Sequence, residues 1–320
     1  MKNWIKKTMV AAAFVVAAQS VAFAQSIGFS VNDRDNALPQ LCYRINVEDG
    51  SATEVGDLVD NITGLNAVAE YEGLASVGSV LYGVSEFDPA LGNPLERANV
   101  ATISPEPASN PAGGECRRAI IGQSGDAAAN TLFGTEAGSA YRSQDGFIYT
   151  VYGDDMTIGP RGEIMRLYTN SPTSGRAVFV GDVRLDTPTG AAIYVDGLAI
   201  DSTGAIFGSD GRGIAGQPES FYRINLPRVA DPNNAGNFVV TATRVCTLPA
   251  SNEDTGLAFD FANSRFFILY EGATPAAPAP RVQQITAASG ACVLGPANNL
   301  NPLPIAGDFE AFDIPRQTVR

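Results

Sequence analysis

The 320-residue sequence predicts an all-β fold of repeated four-stranded units closed into a ring. Three observations carry this. A strand–turn–strand pattern recurs at near-even spacing. No stretch beyond the first 24 residues keeps the 3.6-residue apolar period of a helix. The two ends of the chain supply complementary parts of one unit. The clearest copy of the pattern is Val195–Asp210, in which Gly197–Ile200 and Ala205–Gly208 read as strands. Between them, Asp201-Ser202-Thr203-Gly204 supplies a side chain that bonds its own backbone, then a residue tolerant of positive φ.

With Gly197 as marker, looser copies are found at Gly73 before Val80–Glu86, Gly138 before Gly146–Gly153, and Gly256 before Arg265–Glu271. A last copy, Asp308–Asp313 around Phe309, has no second strand after it. Marker-to-marker spacings are 65, 59, 59 and 53 residues. Each complete hairpin precedes two further short runs of β-branched and aromatic residues. These are Val100–Ile103 and Cys116–Gly122; Glu163–Tyr168 and Arg176–Gly181; Glu219–Asn225 and Phe238–Cys246; and Arg281–Ile285 and Cys292–Gly295. Near the N-terminus, Ser26–Val31, Leu41–Asn46 and Ser51–Asp57 read as second, third and fourth strands, and Asp308–Ile314 provides the missing first. Four-stranded units around a ring, one of them completed by both termini, describe a single β-propeller over residues 25–320. Five blades fit best. Six is the alternative, with a degenerate unit inside Gly122–Ala137. Phe87–Asn99, Pro227–Asn237 and Gly272–Pro280 read as loops.

The ends and composition bound the compartment and the partners. Lys2, Lys6 and Lys7, the apolar run Met9–Ala18 and the small-x-small site Ala22-Phe23-Ala24 describe a secretory signal peptide over residues 1–24. The mature chain is therefore expected outside the cytoplasm, periplasmic or extracellular, and as a monomer without membrane insertion. All the lysines and the one Trp lie in that signal, leaving 18 Arg against 34 Asp and Glu, a net charge of −16, and no His. Such a surface repels nucleic acid and suits cations, cationic small molecules or a basic protein partner. Without His or Lys, the Ser-His-Asp, Cys-His, Schiff-base and Ser-Lys mechanisms are excluded. Four cysteines in an exported chain imply two disulfides. Three pairings can be drawn. Because neighbouring units hold them, Cys42–Cys116 and Cys246–Cys292 is the expected one.

Leu41–Gly56, Leu-Cys-Tyr-Arg-Ile-Asn-Val-Glu-Asp-Gly-Ser-Ala-Thr-Glu-Val-Gly, resembles the "LYRIDPxTGxxTxVG" signature of secreted bacterial propellers of unknown function. Asp196–Gly208 and Thr255–Tyr270 resemble the "GLAFDPxxGxLY" hairpin of the same broad group, which shades into NHL, YVTN and regucalcin-like propellers. These motifs specify a blade and carry over no catalytic residue.

In an antiparallel blade the start of the first strand and the end of the second lie side by side at one mouth of the ring. Acids stand at these places: Glu72, Glu136, Asp196, Asp254 and Asp308 before or at first strands, and Asp33, Glu86, Asp154, Asp210 and Glu271 after second strands. Like charges this close disfavour one another's ionisation, and a bound cation relieves them. Ca²⁺, which takes six to eight oxygens in flexible geometry, is the expected ion, with Asp196, Asp210, Glu86 and Glu271 as its ligand candidates. The expected function is a ligand-binding or structural module. The alternative is a metal-dependent hydrolase of lactones or phosphoesters, or a carboxylate-based glycosidase, on the same face.

Overall fold

Short β-branched and aromatic runs between turns fold as strands throughout the computed structural model. It describes residues 26–32, 39–86, 91, 93, 98–104, 115–124, 138–153, 165–211, 217–251, 253–272, 279–287, 290–302, 309 and 311–316. In chain order, β1 (Ile27–Asn32), β2 (Leu41–Asn46) and β3 (Ala52–Asp60) belong to the first unit. The second holds β4 (Tyr71–Val77), β5 (Val80–Ser85), β6 (Asn99–Ser104) and β7 (Glu115–Gln123). The third holds β8 (Ser139–Arg142), β9 (Phe147–Tyr152), β10 (Arg166–Asn170) and β11 (Ala177–Leu185). The fourth holds β12 (Gly197–Ile200), β13 (Ile206–Asp210), β14 (Ser220–Ala230) and β15 (Phe238–Thr247). The fifth holds β16 (Thr255–Asp260), β17 (Arg265–Tyr270) and β18 (Arg281–Thr286), followed by the two-residue strands β19 (Gly290–Ala291), β20 (Val293–Leu294) and β21 (Asn298–Asn299). Last comes β22 (Ala311–Asp313), which pairs antiparallel with β1 through Phe29–Asp313, Ser30–Phe312 and Val31–Ala311 and completes the first unit.

Each unit is an antiparallel meander, and its first strand is innermost. The inner strands touch in sequence: β22 against β4, β4 against β8, β8 against β12, β12 against β16, and β16 back against β22. The fold is a β-propeller closed by both ends of the chain. Residues 1–25, where a signal peptide is expected over 1–24, and residues 125–137, most of the Gly122–Ala137 stretch that the six-blade alternative needs, lie outside the described residues.

Backbones pass very close around the axis, which explains two of the marker glycines, Gly138 and Gly197. A Cβ on Gly138 would stand 1.8 Å from the Asp196 carbonyl oxygen, and one on Gly197 would stand 2.6 Å from the Leu257 nitrogen. The opening hairpin follows its sequence. Asp201 Oδ1 accepts from the Thr203 and Ala205 amides at 2.8 and 3.0 Å, and Gly204 takes φ +84°.

Two features differ from expectation. The stretch from Pro227, expected as a loop, continues β14 to Ala230 after a register shift between Asn225 and Val229. Arg228 holds it there, stacking 3.6 Å over the Phe238 ring and donating to the Phe179 and Val180 carbonyls. The reversal moves to Asp231–Asn237, where Asp231 Oδ1 accepts the Asn233 amide at 2.8 Å. The expected last strand of the fifth unit, Cys292–Gly295, forms but is only the two residues of β20, with short strands on either side of it. β19 pairs with β15 of the fourth unit, whereas β20 and β21 pair with β18.

Outer strands stitch the units edge to edge. β3 pairs parallel with β7, β11 with β15, and β15 with β19. The Ala52 amide donates to Asn301 at 2.9 Å between the first and fifth units. Both disulfides lie on these seams: Cys42–Cys116 joins the first two units and Cys246–Cys292 the last two. Apolar side chains fill the gaps between faces. Val31, Cys42, Leu58, Leu74, Ile103 and Cys116 pack between units one and two, and Phe221, Leu257, Phe259, Ile268 and Cys292 between units four and five. Buried with the first group is Arg118, only 2% exposed, whose Nη1 donates to the Tyr71 hydroxyl at 3.1 Å; that hydroxyl in turn donates to Asn99 Oδ1 at 2.6 Å.

Replacing Gly138 with Ala should therefore destabilise the protein by about 1–3 kcal/mol or more, because the added methyl meets rigid backbone. Urea unfolding followed by tyrosine fluorescence would show the shift in midpoint. The double change Cys42→Ser with Cys116→Ser opens a loop of 74 residues and should cost about 2–4 kcal/mol by the same measurement.

Candidate functional site

The antiparallel register brings the start of each inner strand beside the end of the next. Asp196 precedes β12 and donates its amide to Ser209 O at 2.9 Å, so it lies beside Asp210 at the end of β13. Asp254 precedes β16, and its amide donates to Glu271 Oε1 at 3.2 Å; the Glu271 amide returns a bond to Asp254 O at 3.2 Å. In the second unit the Glu86 amide donates to Glu70 O at 3.0 Å, which puts Glu72 and Glu86 at the corresponding end. Asp33, Glu136, Asp154 and Asp308 lie outside the described residues.

Units four and five gather their acids into one hydrogen-bonded run. Asp196 Oδ2 accepts from the Gly211 amide at 3.0 Å and from Thr255 Oγ1 at 3.3 Å. Thr255 Oγ1 also lies 2.8 Å from Ser209 Oγ. Gly211 O accepts from the Glu253 amide at 3.2 Å and from Ser251 Oγ at 3.2 Å. The Ser251 amide donates to both carboxylate oxygens of Glu219 at 2.9 and 2.7 Å. Arg281 grips Glu253 with two bonds of 3.0 and 2.6 Å and lies 4.1 Å over the Tyr270 ring. Asp196, Asp210, Glu219, Glu253 and Asp254 are all buried.

Glu219, Glu253, Ser251 and Arg281 were not singled out in the sequence. Their signal was available, because the start of a third strand lies at the same end as the end of the second, and Glu219 and Arg281 stand there. Asn32, the last residue of β1, shares this end too. It is buried, and neither atom of its amide has a hydrogen-bond partner among the described residues.

Tyrosines here respond to the acids. Burial, then the charges of Glu219 and Glu253, push the Tyr270 phenol well above its ordinary range against the pull of Arg281. Burial and Asp210 raise Tyr222, and burial, Tyr168 and Glu72 raise Tyr152. Each phenol therefore stays neutral and can donate a hydrogen bond at physiological pH. Among the described residues, no group of three or more carboxylates or cysteines is arranged to hold a metal ion. Of the four expected calcium ligands, Asp196 and Asp210 stand in unit four, Glu271 in unit five and Glu86 in unit two.

No family model matches the chain, and no curated protein matches it. Among solved structures it is similar to an exo-β-1,3-galactanase from Phanerochaete chrysosporium, at 15% identity and TM-score 0.48 over 77% of this chain and 53% of that one. It is also similar to an α-L-arabinofuranosidase from Clostridium thermocellum, at 13% identity and TM-score 0.44 over 88% and 96% of the two chains. A 6-phosphogluconolactonase-like protein from Bacteroides uniformis matches at 13% identity and TM-score 0.37 over 89% and 71%. The chain spans about half the length of the galactanase. Likeness this distant carries no residue roles across.

Changing Glu253 to Gln leaves Arg281 without its charge partner in a site only partly open to water. The expected cost is about 1–3 kcal/mol, below that of a fully buried pair because Arg281 keeps some solvent. Chemical denaturation of the variant beside wild type reads it directly.

Proposed function

We propose that the chain is an exported ligand-binding propeller whose acid end, across units four and five, takes a positively charged ligand. The observation that carries this is the burial of Asp196, Asp210, Glu219, Glu253 and Asp254 at one end of units four and five, with Asp196, Glu219 and Glu253 on one run of hydrogen bonds. Buried like charges raise one another's free energy, and a cation relieves that cost. Ca²⁺ is the simplest such ligand, since it accepts carboxylates and backbone carbonyls in flexible geometry. Two disulfides fit an oxidising compartment, which supports export.

Isothermal titration of the protein with CaCl₂, and separately with spermidine, tests the reading. Binding of one of them by wild type, lost in the Asp196→Asn, Asp254→Asn double variant, is the expected result. At a ligand concentration one hundred times Kd, binding adds about 2.7 kcal/mol to stability and raises Tm accordingly. No heat and no Tm shift with either ligand would overturn it. Hydrolysis of a glycoside, lactone or phosphoester panel that the same double variant abolishes would replace the binding module with a hydrolase working at this end.

A further inference from the structure

Three residues close the ring. β22 pairs with β1 on one side and packs against β4 and β16, the inner strands of its neighbours. Its last residue, Asp313, lies toward the end of the axis opposite the acid run, since Asp313 pairs with Phe29, near the start of β1. The residue as a whole is half-buried, but Oδ2 is closed off from solvent and has no hydrogen-bond partner among the described residues. The polar groups that act on the carboxyl are the hydroxyl and amide of Ser76, near the end of β4, and the Ile314 amide, all of which pull its pKa down. Beyond it, the Arg316 guanidinium lies 3.6 Å over the Phe261 ring in the β16–β17 turn and donates to Ser143 Oγ at 3.5 Å in the β8–β9 turn. Residues 311–316 therefore reach units two, three and five while completing unit one.

We propose that this segment is a proton-operated latch. With Asp313 neutral the closing strand is held in the ring, and with Asp313 ionised it loosens.

The geometry makes the neutral form the one that fits. An ionised carboxylate with one enclosed, unpartnered oxygen loses its hydration without full replacement. Burial pushes the Asp313 carboxyl up to about 7, against the pull of Ser76, the two amides and Arg316. The surrounding charges do not offset this further. β1 carries no charged residue. Glu72 lies at the other end of β4, where its charge bears on Tyr152. Asp260, at the end of β16, is engaged by Ser26, Asn263 and Arg265. The sign follows from proton linkage. The folded carboxyl titrates above its ordinary range near 4, so between that value and 7 the folded chain keeps a proton that the unfolded chain has released. The stabilisation is complete below about 4 and is lost as pH rises through about 7.

Hydrogen exchange of the full chain, corrected for the chemical rate and read by mass spectrometry, tests the latch. Protection of the 311–316 peptide in wild type should fall at least tenfold between pH 5.5 and pH 8.5, declining up to about pH 7 and levelling off above it, relative to a reference peptide from β16. In Asp313→Asn, protection should stay high at both pH values. Unchanged wild-type protection, or an Asp313→Asn variant that keeps the wild-type dependence, would overturn the proposal. Should that variant fail to fold, Ser76→Ala gives the second reading. Loss of that hydroxyl should move the levelling-off of the wild-type decline to higher pH, and an unmoved one counts against the latch.

Discussion

At Gly138 the third unit's inner strand passes the carbonyl of Asp196 with no room for a methyl group, and Gly197 meets Leu257 in the same way. The rest of the molecule depends on this close passage. It sets the distance between neighbouring inner strands, and so the radius of the ring. Once that radius is set, the faces of successive units fan outward at a fixed wedge, and side chains such as Tyr71, Leu74 and Phe221 must fill it. Outer strands then come near enough to pair, as β3 does with β7 and β15 with β19, and the cysteines at these seams, Cys42 on β2 with Cys116 on β7 and Cys246 on β15 with Cys292 after β19, come within bonding distance.

The same passage creates the electrostatic problem at the acid end. Residues just before inner strands are pulled toward the axis, and among the described residues three of them, Glu70, Asp196 and Asp254, are buried carboxylates. Burial of a carboxylate costs several kcal/mol unless hydrogen bonds and opposite charges replace its water. Backbone amides meet part of that cost, with Gly211 serving Asp196 and Ser251 serving Glu219, while Arg281 neutralises Glu253. The field that remains is read by the phenols of Tyr152, Tyr222 and Tyr270, all held neutral.

Much of this was legible in the amino-acid order, but unevenly. The hairpin Val195–Asp210 was readable to its hydrogen bonds, because Asp201 and Gly204 act within four residues of each other. The continuation of β14 through Pro227 was not. It depends on Arg228 reaching Phe179, a residue 49 positions away. The acids at first-strand starts and second-strand ends could be placed, whereas Glu219 and Glu253 could not be ranked among many similar carboxylates. Their partners Ser251 and Arg281 are 32 and 28 positions distant, and only the place of Arg281 at the start of a third strand marks either of them.

By itself the sequence determined the strand units, their turns, the completion of one unit by both termini and the pairing of the cysteines. These are either short-range consequences of alternation and turn chemistry or follow from the order of the units. Tertiary structure alone decided that outer strands pair across seams, that β19, just before the last strand of the fifth unit, joins the fourth, and that Asp313 Oδ2 is enclosed. Each of these joins residues far apart in the chain whose meeting is set by the geometry of a closed ring, and no local pattern of residues encodes that geometry.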